Sequence, residues 1–285
     1  MEFIQPTSWD EALAAKSAFP AGMPIAGGTD VMVELNFDRA RPEALIDLTR
    51  VGELREWEED DGILRIGAGV SYTRVIAELG ERLPGLAMAA RTIGSPQIRN
   101  RGTVGGNLGA ASPAGDSHPP LVAARAEVEL ASSRGRRQVP VREFYAGPKE
   151  NVVADDELIA AILVAPSTGA EQFSKIGARN AMVIAACSFA LAIDPVARRV
   201  GTGIGSAGPT PLAAREAEDF LEGVLGESDG WDLPVALGEP VVERFGELVA
   251  AAGRPIDDVR SSAAYRREAL RVLARRTLTW ARGTA

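Results

Sequence analysis

Short apolar runs punctuated by glycine and proline fill the first fifty residues, and their order predicts β-α-β-α-β. Phe3-Ile4, Pro24-Ile25-Ala26 and Ala44-Leu45-Ile46-Asp47 read as strands. Ser8, with Glu11 three residues on, signals a helix through Leu13-Ala14-Ala15, and Val31 to Phe37 predicts a second, shorter one. Leu54 to Trp57 and Ile63 to Ala68 flank the acidic run Glu58-Glu59-Asp60-Asp61-Gly62, a hairpin signal. Helical spacing returns over Ser71 to Leu79, Leu86 to Thr92 and Pro119 to Ala124. Glu127 to Leu130 and Arg137 to Val141 then predict paired strands, and Leu158 to Val164 a further one. The turn-rich break Pro166-Ser167-Thr168-Gly169 marks a boundary. Beyond it, strands over 172–176, 184–193 and 198–204 precede helices over 211–221, 240–251 and 262–281, the order of an α+β unit.

Two segments break this periodicity. Ile25-Ala26-Gly27-Gly28-Thr29-Asp30 places a Gly-Gly turn between a strand and a helix, where helix-terminal N–H groups can face an anion. From Thr92 to Leu108 the chain is so dense in glycine, hydroxyl and amide residues that it predicts neither helix nor core strand. It reads instead as a long loop running on through Ala111-Ser112-Pro113-Ala114-Gly115-Asp116, and a loop of that length inside a packed unit is usually functional. Glycines let backbone approach a ligand closely, and consecutive N–H groups in one concavity suit phosphate oxygens. Two such turns predict one ligand with two anchoring points, and a dinucleotide pyrophosphate fits. Asp116 precedes an apolar helix, as a cap or as an acceptor for a ligand.

Gly203-Ile204-Gly205-Ser206-Ala207-Gly208 has the spacing of a dinucleotide fingerprint, but Pro209 and Pro211 delay any helix past the glycines. It is a structural turn, with Pro211 as the first residue of the next helix. His118 reads as an exposed loop histidine and Cys187 as a small buried hydrophobe. The arginines 266, 267, 271, 275 and 276 read as the solvated face of a helix, or more sharply as a docking surface for an acidic partner. Lys175, one of only three lysines, opens the second unit and is either a strand-edge lysine or a cation reaching a cofactor between units.

Composition narrows the chemistry. A net charge of −8 argues against a nucleic-acid partner, which requires clustered cations. With one cysteine and one histidine, the chain has no internal disulfide and too few ligands for a zinc site or iron–sulfur cluster of its own. No leader pattern or apolar run of membrane-spanning length is present, so the expected location is cytoplasmic. Nor is there a nucleophile–base pair in the sequence. Readings left open at this point are a subunit of a larger enzyme, a stand-alone enzyme acting on substrate through a bound dinucleotide cofactor, and a nucleotide-binding module without catalysis.

Taken in order, Ala26 to Asp30, Arg99 to Asn107, Ala111 to Asp116, Lys175 to Arg179, Gly205 to Pro211 and Asp258 to Arg267 resemble the FAD-binding medium subunit of the molybdenum hydroxylases, the xanthine dehydrogenase and carbon monoxide dehydrogenase family. The resemblance implies an α+β fold: a two-lobed FAD-binding domain of the vanillyl-alcohol-oxidase type over 1–167, with lobes at about 1–53 and 54–167. A C-terminal domain over 168–285 follows, with a three-stranded antiparallel sheet and a three-helix bundle. It implies that Ile25, Ala26, Gly27, Gly28, Thr29, Asp30 and Val31, with Thr103, Gly105, Gly106 and Asn107, wrap the FAD pyrophosphate and ribityl. Ile93 and Ile98 join the cofactor set, Asp116 binds a sugar hydroxyl, Leu158 and Ile159 line the adenine side, and Lys175 touches FAD from the second domain. Further implied are a large subunit with a molybdenum cofactor, a small subunit with two [2Fe-2S] clusters, NAD or another electron acceptor, and a dimer of heterotrimers. Members oxidising carbon monoxide tend to carry Gly-Gly-His-Ser at the first turn and a tyrosine near Ala181-Met182. Their absence here leans toward a purine, another N-heterocycle or an aldehyde.

Overall fold

A computed structural model describes residues 1–232 and 236–283. The chain opens with β1 (Glu2–Ile4), α1 (Trp9–Ala18), β2 (Met23–Ile25), α2 (Val31–Asn36) and β3 (Ala44–Asp47), and the strands pair in parallel in the order β1-β3-β2. Ser8 caps α1 by accepting the Glu11 N–H, and the Glu11 carboxylate turns back to accept from the N–H and hydroxyl of Thr7. Trp9 and Ala12 of α1 pack on Ile46, Leu48, Val51 and Leu54. The expected strand at Leu54 is a 3-10 turn, and the hairpin is shifted into the acidic run, with β4 at Trp57–Asp60 and β5 at Ile63–Gly67. Asp61 and Gly62 both take left-handed φ, 47° and 75°, which shortens the turn to a two-residue hairpin and leaves the acids on an exposed edge strand.

There follow α3 (Tyr72–Glu78), α4 (Pro84–Thr92), α5 (Pro96–Arg101), α6 (Val104–Ala110), α7 (His118–Ala123), β6 (Glu127–Ser132), β7 (Gly135–Pro140), β8 (Tyr145–Gly147), β9 (Glu150–Asn151) and β10 (Leu158–Val164). A five-stranded antiparallel sheet, β4-β5-β10-β6-β7, carries the helices on one face. Leu64, Ile66, Val128, Leu130 and Ile162 of the sheet meet Tyr72, Val75, Leu86, Val104, Leu108 and Leu121 of the helices in one core. The predicted long loop therefore contains two short helices. Propensity hid them, but capping and packing make them: Ser95 caps α5 with Pro96 at its first position, Thr103 caps α6, and Val104 and Leu108 anchor α6 in the core.

The last part of the chain is the antiparallel sheet β11 (Glu171–Ile176), β12 (Cys187–Asp194) and β13 (Arg199–Gly205), covered by α8 (Arg215–Glu227), α9 (Glu239–Ala252) and α10 (Ala263–Arg282). Pro211 does not begin a helix. Leu212 exchanges backbone hydrogen bonds with Ile204 at 2.8 and 3.1 Å, extending the sheet before α8 starts at Arg215. On β13, Gly201, Gly203 and Gly205 share one face, and α7 lies directly on it. A Cβ at Gly201 would collide with the carbonyl of Ala123, and one at Gly203 with that of Pro119. The glycine-rich motif thus serves close helix–sheet packing between the two parts of the chain. Glu218 of α8 locks the same seam, pairing with Arg142 at 2.7 Å and accepting from the N–H and hydroxyl of Thr202.

Candidate cofactor site

The two glycine segments, some seventy residues apart, meet. A Cβ on Gly27 would collide with the carbonyl of Arg101 and press on Gly102, so the first turn lies against the junction of α5 and α6. Gly28 takes φ 75°, which reverses the chain into α2. The N–H groups of Gly27, Gly28, Thr29, Asp30 and Val31 donate to nothing among the described residues. The second segment differs from expectation. Gly105 N–H donates to the Ala68 carbonyl at 3.1 Å and Gly106 N–H to the Thr103 hydroxyl at 2.9 Å, so neither is a spare donor. Gly105 is buried against Ala68, where a Cβ would clash, whereas Gly106 is exposed and its added Cβ would meet only the Thr103 hydroxyl. One glycine serves packing; its neighbour leaves an open surface that backbone can present to a ligand. Lys149 of the β8–β9 turn ties this region to α2 through Glu34 at 2.7 Å.

Behind the glycines lies a polar layer. Asp116 is buried, and Lys175 reaches across from β11 to pair with it at 2.5 Å while also donating to the Thr92 carbonyl at 3.3 Å. Burial raises the Asp116 carboxyl above its usual range, and the nearby Lys175 ammonium opposes that rise. Asp116 Oδ1 is buried without a partner among the described residues. Asn107 of α6 accepts from the Ser117 hydroxyl at 2.7 Å, and Ser117 accepts from the Tyr72 hydroxyl at 3.1 Å. His118 is wholly buried, not an exposed loop residue. Its Nδ1 pairs with the Tyr145 hydroxyl, its ring fills the space that a Cβ on Gly115 would need, and burial pushes its pKa down to about 3. A neutral imidazole is therefore a fixed wall of the 112–117 loop.

The structure thus brings Gly27 against Arg101 and Gly102, at the start of the Thr103–Asn107 segment, and Asp116 against Lys175. Ile159 stands beside Gly109, on the α6 side of β10. Leu158, 2% exposed, faces the core with Trp9 and Ile46. Ile93 packs on the core below the loop, and Ile98 is exposed on α5. Sequence reasoning missed Thr92, Ser117 and Tyr72; only the hydroxyl at 117, adjacent to Asp116, gave a local signal.

Residues 1–167 match the family model described as the FAD binding domain in molybdopterin dehydrogenase, and residues 172–281 that of the CO dehydrogenase flavoprotein C-terminal domain. The nicotinate dehydrogenase FAD-subunit of Eubacterium barkeri is 31% identical over 235 residues, 78% of this chain and 79% of that protein. The putative xanthine dehydrogenase FAD-binding subunit of Escherichia coli K12 is 33% identical over 213 residues, 71% of this chain and 73% of that one. Among solved structures, carbon monoxide dehydrogenase from Hydrogenophaga pseudoflava aligns with a TM-score of 0.88 at 28% identity, covering 99% of this chain and 98% of that one. With a flavin-binding match on the first part and a flavoprotein match on the second, the chain belongs to the FAD-binding medium subunits of the molybdenum hydroxylases, the xanthine dehydrogenase and carbon monoxide dehydrogenase family.

Proposed function

We propose that this chain is the electron-transfer subunit of a heteromeric molybdenum hydroxylase, placed between the [2Fe-2S] clusters of a small subunit and NAD or another acceptor. The observation that carries this reading is the meeting of the two glycine segments at Gly27 and Gly102, with five consecutive N–H groups from Gly27 to Val31 left without an acceptor among the described residues and Gly106 exposed four residues further on. These residues fit FAD. The free N–H groups can donate to its pyrophosphate, Gly106 keeps the approach clear, and the unpartnered Oδ1 of Asp116 can accept a sugar hydroxyl. When bound, FAD supplies the electron chemistry that no side chain here provides. The chain's own part is to bind and orient. The Asn107–Ser117–Tyr72 hydrogen bonds hold α6 against the Asp116 loop, and Lys175 holds that loop to β11. Ile25 to Val31, Ile93, Ile98, Thr103 to Asn107, Asp116, Leu158, Ile159 and Lys175 form the proposed contact set, Leu158 through its backbone because its side chain lies in the core.

The finer assignments belong to the same proposal: domains at 1–167 and 168–285, a large molybdenum-cofactor subunit as partner, a dimer of heterotrimers, and a cytoplasmic location. No helix among the described residues is long and apolar enough to cross a membrane. Gly27-Gly28-Thr29-Asp30 favours a purine, another N-heterocycle or an aldehyde over carbon monoxide as the substrate of the complex. Relatives named as a nicotinate dehydrogenase subunit and a nicotine 6-hydroxylase subunit lean the same way. Purification of the native complex tests the reading: FAD, molybdenum and iron should co-elute in fixed ratio with this chain. An active preparation without molybdenum and iron would replace it with a stand-alone flavin oxidoreductase.

A further inference from the structure

The loop that presents Asp116 is fastened to the C-terminal part of the chain at two points. One is the Lys175 ion pair. The other is a backbone hydrogen bond, Ser206 N–H to the Pro113 carbonyl, at 2.9 Å. Ser206 follows the end of β13 and sits at φ 58°, a left-handed conformation that a residue with a Cβ adopts only when its surroundings hold it there. Its hydroxyl is buried and has no partner among the described residues, so position 206 serves through its backbone. What holds that backbone is Arg266 of α10, sixty residues on and only 4% exposed. Its guanidinium donates to the Ser206 carbonyl on one side and to Asp258 Oδ1 on the other. Asp258 is fixed in turn by the N–H groups of Arg260 and Ser261 at 2.8 and 3.1 Å, and Ala207 is pinned by the N–H of Arg254 at 2.7 Å.

We infer that Arg266 is a positioning residue for the FAD site: it holds Ser206 left-handed, so that the Ser206 N–H fixes the Pro113 carbonyl and with it the loop carrying Asp116. This rests on the proposed reading of Asp116 as a cofactor contact. An arginine that merely filled the C-terminal core would owe nothing to the backbone conformation at 206. One that positions the loop through Ser206 becomes dispensable once residue 206 takes that conformation unaided, as glycine does.

The test is flavin titration of the full-length apoprotein, read by fluorescence quenching, with thermal unfolding of each apo variant alongside. Arg266→Met should weaken FAD binding by about tenfold or more. Adding Ser206→Gly to that variant should restore the dissociation constant to within about threefold of wild type. With Arg266 intact, Ser206→Val should weaken binding because a β-branched side chain resists left-handed φ, and Ser206→Ala should not, since the hydroxyl is unused. This pair keeps the inference testable if Arg266→Met does not fold. Unchanged affinity in Arg266→Met, no recovery in the double variant, or wild-type affinity in Ser206→Val would each overturn it. Wild-type chain that takes up no FAD would instead overturn the site reading on which the inference stands.

Discussion

Side chains added at Gly105 and at Gly106 meet different surroundings, since the first runs into Ala68 beneath α6 and the second meets only the Thr103 hydroxyl that caps α6. Gly105→Ala should therefore destabilise the apoprotein by about 1–3 kcal/mol through overpacking, read by chemical denaturation. Gly106→Val crowds only the capping Thr103 hydroxyl, so it should cost no more than about 2 kcal/mol, and it should abolish flavin retention. Normal FAD content in the purified valine variant would show that the exposed face of α6 is not where the cofactor lies. Lys175→Met leaves the buried Asp116 without its cation and should cost about 3 kcal/mol near neutral pH. Because burial already raises the Asp116 carboxyl, protonation relieves the variant, and its deficit against wild type should shrink as pH falls toward the carboxylate range. A deficit that is constant with pH would mean that the ion pair is not what the substitution removes.

Elements rather than single residues carry the seam between the two parts of the chain. Glu171 on β11 accepts the Gly85 N–H at the start of α4 at 2.9 Å, and burial pushes its carboxyl up from 4.5 to about 7. A carboxyl raised on folding stabilises the protein fully below its unfolded value, and that contribution is lost as pH rises through the folded one. Wild type should thus lose stability between about pH 4.5 and 7 on account of this group, and Glu171→Gln should gain on it over that interval in pH-dependent denaturation midpoints. Parallel profiles for the two proteins would refute the assignment. At this scale the sequence is legible where pattern is local. The strand Leu158–Val164 and the helix beginning at Val31 stand where periodicity puts them. It is illegible where the deciding partner is remote. α6 forms in a run of glycines because Val104 and Leu108 reach a core completed by strands downstream, and His118 is buried because Tyr145 and Gly115 close around it. The glycine turns suggest a ligand, but which of their N–H groups lack an acceptor depends on Ala68 and Thr103, and no local spacing shows that.

Across the whole molecule, the C-terminal part fastens the loop of the proposed site. Lys175 and Ser206 reach the Asp116 loop from β11 and from the end of β13, while α7, which begins two residues after Asp116, rests on the glycine face of β13. Gly203→Ala should cost about 1–3 kcal/mol by forcing α7 away from the sheet, and it should weaken FAD binding although residue 203 is outside the proposed contact set. Unaltered flavin affinity in that variant would separate seam and site. Breaking the other fastening, Glu218→Ala leaves Arg142, whose side chain is 17% exposed, without its carboxylate, with an expected cost of about 2–4 kcal/mol. The row of N–H groups from Gly27 to Val31 has one more consequence. With no acceptor among the described residues, these five amides should swap protons for deuterons quickly in heavy water while the nucleotide is absent and slow markedly once it is seated. A single short peptide in a mass spectrum would then report how much of the chain is loaded, even inside a large assembly whose other chromophores obscure the flavin.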